Sequence, residues 1–140
     1  MQVPQYILNS LLTEEGSKDY VYADTQGNLT AGIGHKLVGA ELDQYQDGDK
    51  LRPGDATQWF ENDATKAYEA ALSQAQDLGY GTEDEKFIER LTHANFQLGE
   101  NWWDKSVNPN ALEKTWDALK NKNFDTAAKE AIDSNWYLQE

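Results

Sequence analysis

Two carboxylates, a hydroxyl and an imidazole fall within one glycine-rich stretch of this chain, between Glu15 and His35. Glu15 closes a predicted amphipathic helix, where the negative end of the helix dipole and apolar neighbours favour the protonated carboxyl. Asp24 opens the turn-forming segment 24–28 and is expected to stay ionised. Hydrolysis of a glycosidic bond requires such a pair, because one carboxyl acts as the acid and the other as base or nucleophile.

The same stretch is also consistent with a purely structural hairpin. Glu15 would then be a surface charge at a helix end, and Asp24 would be the first residue of an Asx turn. Thr30 and Gly32 share the outward face of the second predicted strand, where the glycine allows a close approach to the backbone. Spacing alone therefore leaves both interpretations open.

The elements around this stretch are predicted to be mostly helical. Apolar residues at helical spacing predict helices over residues 4–15 and 55–78, and shorter helices beyond them. Asp55 is the predicted N-cap of the long helix, and residues 36–54 are predicted to be mostly irregular. The expected architecture is one α+β, mostly helical domain with a helix and β-hairpin lobe at 1–54, a connecting helix at 55–78 and a helical lobe at 79–140.

Composition argues against several functional classes. Twelve Lys and Arg against 25 Asp and Glu give a formal charge of −13, which repels phosphate backbones and argues against a nucleic-acid binder. The chain has no cysteine and two histidines, so we expect no metal and no other cofactor. It also lacks a long apolar run and a cationic, apolar leader, so we expect neither a membrane span nor a signal peptide.

The glycine-rich stretch resembles the signature of the phage-type lysozymes, glycoside hydrolase family 24. The matching residues are Glu15-Gly16, Tyr22, Asp24-Thr25, Gly27, Thr30 and Gly32-Ile33-Gly34-His35. Two later segments, 95–100 and 124–139, match in the family's order. The resemblance covers essentially the whole chain and implies a lysozyme-like fold in which two lobes flank a cleft.

The resemblance implies an enzyme that cleaves the β-1,4 bond between N-acetylmuramic acid and N-acetylglucosamine in bacterial peptidoglycan, with inversion. Glu15 would be the general acid, while Asp24 and Thr30 would bind and orient the attacking water. Such an enzyme would lyse the cell wall or penetrate it locally.

Further residues acquire expected roles from the same resemblance. Phe96 and Gln97 would line the substrate cleft, and core packing is the alternative for Phe96. Gly32 would let substrate approach the backbone closely. His35 is expected to be structural, with Asp63 on the long helix as its partner.

Two features depart from the family pattern. Relatives continue beyond the Trp136-Tyr137 motif with an arginine-rich segment, whereas this sequence contains only Arg52 and Arg90. Either the enzyme works without that segment, or a partner chain or domain supplies it. The acidity fits synthesis in the host cytoplasm and delivery to the wall by another component, or a place in a virion or injection apparatus.

Two alternatives to the hydrolase stay open. A non-catalytic lysozyme-fold module would bind peptidoglycan or a partner without cutting it. A lytic transglycosylase would cleave the glycan without needing Asp24, and it would leave an anhydro sugar end.

Overall fold

The computed structural model describes residues 2–81 and 84–121, apart from the side chain of Glu15. Its helices are α1 (Gln5–Glu15), α2 (Glu41–Gln44), α3 (Asp55–Asp77), α4 (Glu85–Leu98) and α5 (Glu113–Lys120). Its strands are β1 (Lys18–Ala23), β2 (Leu29–Gly32) and β3 (His35–Lys36). The predicted α+β, mostly helical class is confirmed. The predicted last helix and the Trp136-Tyr137 motif lie outside the described residues.

The chain divides into two compact units within α3, one comprising residues 2–65 and the other beginning at Lys66. The first unit contains α1, the sheet and α2, and the second contains α4 and α5. The three-part division expected from the sequence stays a prediction. Within the described ranges, no helix combines the length and apolarity needed to cross a membrane.

Helix α1 ends where Glu15 meets the irregular segment. Ile7 and Leu11, one turn apart, are fully buried and anchor the helix on its apolar face. Gly16 follows with φ of 66°, and its N–H bonds to the carbonyl of Leu12 at 3.1 Å. A left-handed residue at this position terminates a helix, which is why glycine suits it.

The three strands form an antiparallel sheet in chain order. Tyr22, Thr30 and Lys36 are cross-strand partners in one row, and Ala31 pairs with His35 in the next. Because side chains alternate along a strand, these two rows lie on opposite faces of the sheet. The short β3, at the start of the segment predicted to be irregular, was not predicted.

One face of the sheet is packed into a small apolar core. Its buried members are Val21, Ala31, Leu37 and Tyr45, and its partly buried members are Leu29, Leu51 and Trp59. The sheet approaches α3 most closely at Gly32, where a Cβ atom would lie 3.1 Å from the Cβ of Ala56. This contact joins the hairpin to α3.

The start of α3 differs from its prediction by one residue. Asp55 is the first helical residue rather than the N-cap, since the N–H of Gln58 bonds to the carbonyl of Gly54. Its carboxylate instead accepts a hydrogen bond from the hydroxyl of buried Tyr45 at 2.5 Å. That hydroxyl also accepts the N–H of Arg52 at 3.0 Å, so the tyrosine links α3 to the loop before it.

Candidate active site

The hairpin turn wraps around the carboxylate of Asp24. Its Oδ1 accepts the backbone N–H groups of Gln26 at 2.9 Å and Asn28 at 2.8 Å. The Asp24 N–H in turn donates to the Asn28 carbonyl at 2.9 Å, which closes the turn, and Gly27 occupies the left-handed position with φ of 84°. The second oxygen, Oδ2, has a longer contact of 3.5 Å with the side-chain amide of Asn28. The turn therefore fixes one carboxylate oxygen and holds the other loosely.

This environment favours the ionised form of Asp24. Partial burial raises the pKa of the carboxyl, but the amide hydrogen bonds from Asn28 and Gln26 outweigh it, and Lys36 adds a nearby positive charge. The net effect lowers the pKa below its ordinary value. Asp24 is consequently suited to act as a base and not as an acid.

Thr30 lies on the sheet face opposite Ala31, as predicted, but it is not an open position. Only 4% of the residue is exposed, and Tyr22 and Lys36 are its cross-strand neighbours. Its hydroxyl donates to the carbonyl of Asn28 at 3.1 Å. The hydroxyl hydrogen is therefore directed towards the turn, which leaves the oxygen to accept a hydrogen bond.

Asn28 joins the two candidate residues and was missed at the sequence level. Its carbonyl accepts from both the Asp24 N–H and the Thr30 hydroxyl, and its own N–H donates to the Asp24 carboxylate. The signal was present in the turn segment 24–28, where asparagine was interpreted only as a turn former. The structure thus brings Asp24 and Thr30 together through a shared neighbour.

Glu15 enters the same unit as the last residue of α1. Its side chain lies outside the described part of the structure, so its expected role as the general acid stays a prediction. The chain from Gly16 runs directly into β1, at the end of which Asp24 follows. Strand β1 thus connects the end of α1, where Glu15 lies, with the turn at Asp24.

Gly32 has a structural neighbour that the sequence did not reveal. Its φ is 62°, and an added Cβ would meet Cβ and Cα of Ala56 at 3.1 and 3.4 Å. Helix α3 makes the close approach that was expected at this glycine. This contact explains the glycine without a bound ligand. Its predicted role in substrate binding stays a prediction.

His35 is held between two carboxylates. Its Nδ1 lies 2.6 Å from Oδ2 of Asp63, the partner expected from the resemblance, and its Nε2 lies 2.9 Å from Oε1 of Glu41, which was not expected. The ring also stacks on Trp59 with a centroid distance of 4.7 Å. Burial lowers the pKa of the imidazole, but the two carboxylates outweigh it and raise the pKa above its usual value. Both nitrogens are engaged in structural contacts, which supports the structural role expected for His35.

Phe96 and Gln97 lie on α4 in the second unit, both half-buried. The preceding residue, Asn95, is 4% exposed and carries a polar network. It exchanges amide hydrogen bonds with Gln74 on α3 at 2.8 and 3.0 Å and accepts the indole N–H of Trp102 at 3.1 Å. This network fixes the part of α4 from which Phe96 and Gln97 project, and their contact with substrate stays a prediction.

No group of three or more His, Asp and Glu side chains in the described ranges is arranged to hold a metal ion.

Two comparisons with known proteins point in one direction. A family model described as phage lysozyme matches residues 13–136. The chain is also similar to the peptidoglycan hydrolase gp36 of Pseudomonas phage phiKMV, with 26% identity over 125 residues. That match covers 89% of this chain but 13% of the relative, so the chain spans only a small part of that protein's length.

Proposed function

Because this chain belongs to the phage lysozyme family, we propose that it is a peptidoglycan hydrolase that uses Asp24 to activate water. The bond cleaved is the β-1,4 linkage between N-acetylmuramic acid and N-acetylglucosamine. The observation that carries the proposal is the Asp24 turn, in which two backbone N–H groups hold one carboxylate oxygen and keep the group ionised. The similarity to a phage peptidoglycan hydrolase agrees with this substrate.

Each residue has a distinct role in the proposed reaction. Glu15, protonated at the end of α1, donates its proton to the glycosidic oxygen as the bond to the anomeric carbon breaks. A water molecule attacks that carbon from the opposite side, and Asp24 accepts the proton that it loses. The loosely held Oδ2 is the oxygen available to this water, since Oδ1 already accepts two N–H groups. Inversion at the anomeric carbon follows from direct attack by water.

Thr30 assists Asp24 in this scheme. Its hydroxyl hydrogen is directed to the Asn28 carbonyl, so the oxygen accepts a hydrogen bond from the water. Thr30→Ser, which keeps the hydroxyl, is expected to retain most activity, whereas Thr30→Val is expected to lose about tenfold or more. Equal activity of the two variants would show that the Thr30 hydroxyl has no part in the reaction.

The ionised Asp24 favours hydrolysis over lytic transglycosylation. A transglycosylase closes an anhydro ring with the substrate's own hydroxyl and has no need of a base for water. A turn that fixes a carboxylate and keeps it ionised supplies an acceptor for the proton that the attacking water loses. We also propose that another component delivers the protein to the cell wall, and that a partner chain or domain completes the site.

Identification of the sugar ends tests this function. Purified peptidoglycan is digested with wild type, Glu15→Gln and Asp24→Asn, with Asp43→Asn as a control at an exposed carboxylate of the same unit. New reducing ends with wild type and Asp43→Asn, but not with the other two, are expected. Anhydro ends that survive Asp24→Asn would indicate a transglycosylase. Binding without any release would indicate a non-catalytic module.

A further inference from the structure

Strand β1 presents two tyrosines and a lysine on one side of the sheet. The rings of Tyr20 and Tyr22 meet edge to face with centroids 6.1 Å apart, and Nζ of Lys18 lies 4.3 Å from the centroid of Tyr22. Tyr22 is the cross-strand partner of Thr30, so this side is the one opposite the apolar core. We call Lys18, Tyr20 and Tyr22 the tyrosine face.

Within the tyrosine face, Lys18 and Tyr20 are exposed and Tyr22 is half-buried. Tyr20 is 43% exposed, while Val21 beside it is fully buried. The outer edge of β1 is closed by the segment 48–51, through a bridge between Tyr20 and Lys50 and a hydrogen bond from the Val21 N–H to the Asp49 carbonyl at 2.8 Å. The outer edge of β1 is thus paired around Tyr20 and Val21, and the exposed ring of Tyr20 is what this part of the strand offers to solvent.

This face is continuous with the proposed reaction site. Tyr20, Tyr22 and Asp24 follow one another at intervals of two residues, and a strand advances about 3.3 Å per residue. Tyr22 therefore lies about 7 Å from Asp24 along the chain, and Tyr20 lies further from it, where the pairing of β1 with β2 is irregular. A polymer bound with one sugar at Asp24 and running along β1 would place its next sugars over the tyrosine face.

The chemistry of the face matches a glycan strand that carries peptides. A tyrosine ring has an apolar body and a polar hydroxyl, which complements a sugar with an apolar C–H face and polar edges. Peptidoglycan also carries carboxylates on its stem peptides, and Lys18 offers a positive charge in a chain whose formal charge is −13. The positive charge of Lys18 is complementary to a stem-peptide carboxylate at short range, against the net negative charge of the chain.

We propose that the tyrosine face is a binding subsite for the glycan strand of peptidoglycan, with Tyr20 stacking on a sugar ring, Tyr22 supporting Tyr20 edge to face and Lys18 binding a stem-peptide carboxylate. The proposal rests on the function proposed above, since it extends the same site along its polymeric substrate. It assigns Tyr20 and Lys18 to substrate binding, with Tyr22 as the support of Tyr20, and leaves the chemical steps to other residues.

Binding measured without turnover tests the subsite. The dissociation constant is determined for soluble glycan fragments, with and without stem peptides, in a Glu15→Gln background that does not digest them. Tyr20→Ala is expected to raise it about 3- to 10-fold for both fragments, as loss of an aromatic contact does. Lys18→Gln is expected to raise it about 2- to 5-fold for the peptide-bearing fragment alone, and less at high salt.

The chain supplies a matched control. Tyr6 on α1 is 42% exposed, so Tyr6→Ala removes the same side chain at the same exposure and is expected to leave binding unchanged. Tyr20→Phe keeps the ring and is expected to bind within about twofold of the parent. Equal binding by the Tyr20→Ala and Tyr6→Ala variants, or no binding by the parent, would overturn the subsite. Failure of wild type to release sugar ends would instead overturn the hydrolase, because binding here does not depend on cleavage.

Discussion

The two halves of α3 are tied to their neighbours by different chemistry. In the first unit, the helix meets the sheet through a backbone approach at Gly32 and a charged contact from Asp63 to His35. In the second unit, Gln74 meets Asn95 through a reciprocal pair of neutral amide hydrogen bonds. The charged contact is partly exposed, with 11% of the histidine side chain and 32% of the aspartate side chain accessible, whereas Gln74 and Asn95 are 5% and 4% exposed.

This difference predicts different responses to pH and to mutation. A buried neutral network is costly to break, because each orphaned donor or acceptor keeps its full desolvation penalty. It carries no titrating group, so its contribution does not change with pH. A partly exposed histidine paired with a carboxylate contributes less to stability, and it does so only while its imidazole is protonated.

The largest loss of stability is expected from Asn95→Ala. The change removes the side-chain acceptor of the Trp102 indole N–H and the amide partner of Gln74, which should lower the free energy of unfolding by about 2–4 kcal/mol. Urea unfolding measures it, with Asn62→Ala at an exposed position of α3 as the control. The loss should be the same at about pH 5.5 and about pH 7.5, one unit either side of the ordinary histidine pKa. A loss below about 0.5 kcal/mol would mean that the network is not a stabilising feature.

A smaller loss is expected from Gly32→Ala, and Gly39→Ala is its control. Both glycines have a positive φ, 62° and 57°, but only at Gly32 would the added Cβ meet other atoms within 4 Å. Backbone strain should cost each variant about 1 kcal/mol, and crowding against Ala56 should add about 1–2 kcal/mol for Gly32 alone. Equal melting temperatures for the two variants would show that crowding between Gly32 and Ala56 adds no loss of stability.

The smallest effect is expected at His35 and depends on pH. The folded-state pKa is raised, so the stabilisation is complete below the unfolded value of 6.5 and is lost as pH rises through the folded value. Wild type should therefore lose stability as pH rises above about 6.5, and Asp63→Asn should lose less over the same range. Asp63→Asn with Glu41→Gln should reverse the slope, because the two carboxylates that raise the pKa of the imidazole are gone and burial, which lowers it, remains. If stability of the double variant depended on pH as in wild type, the two carboxylates would not be the source of that dependence.

Sequence patterns predicted the parts of the fold that depend on local signals. Helix α1 with its Gly16 stop, the hairpin around the 24–28 turn, and the long helix from Asp55 are all present. Residues whose surroundings are set by distant parts of the chain were harder to predict. Gly32 was interpreted as open to substrate because nothing in its neighbours in sequence indicates Ala56.

The candidate site shows the same limit. Asp24 could be assigned to a turn and to the ionised form from sequence, and its hydrogen bonds agree. The burial of Thr30 depends on the strand register, which places Tyr22 and Lys36 on either side of it. Glu41 was missed as a second partner of His35 because it lies in a four-residue helix whose position no periodic pattern reveals.

The stereochemistry of the first product tests the central claim most directly. Soluble glycan chains are digested with wild type, and the anomer at the new reducing end is identified by proton NMR before mutarotation equilibrates it. Direct attack by a water held at Asp24 predicts the α-anomer, the inverted product of a β-linkage. The β-anomer would mean that a covalent or ring-closed intermediate precedes water, and that Asp24 does not act as the base for direct attack.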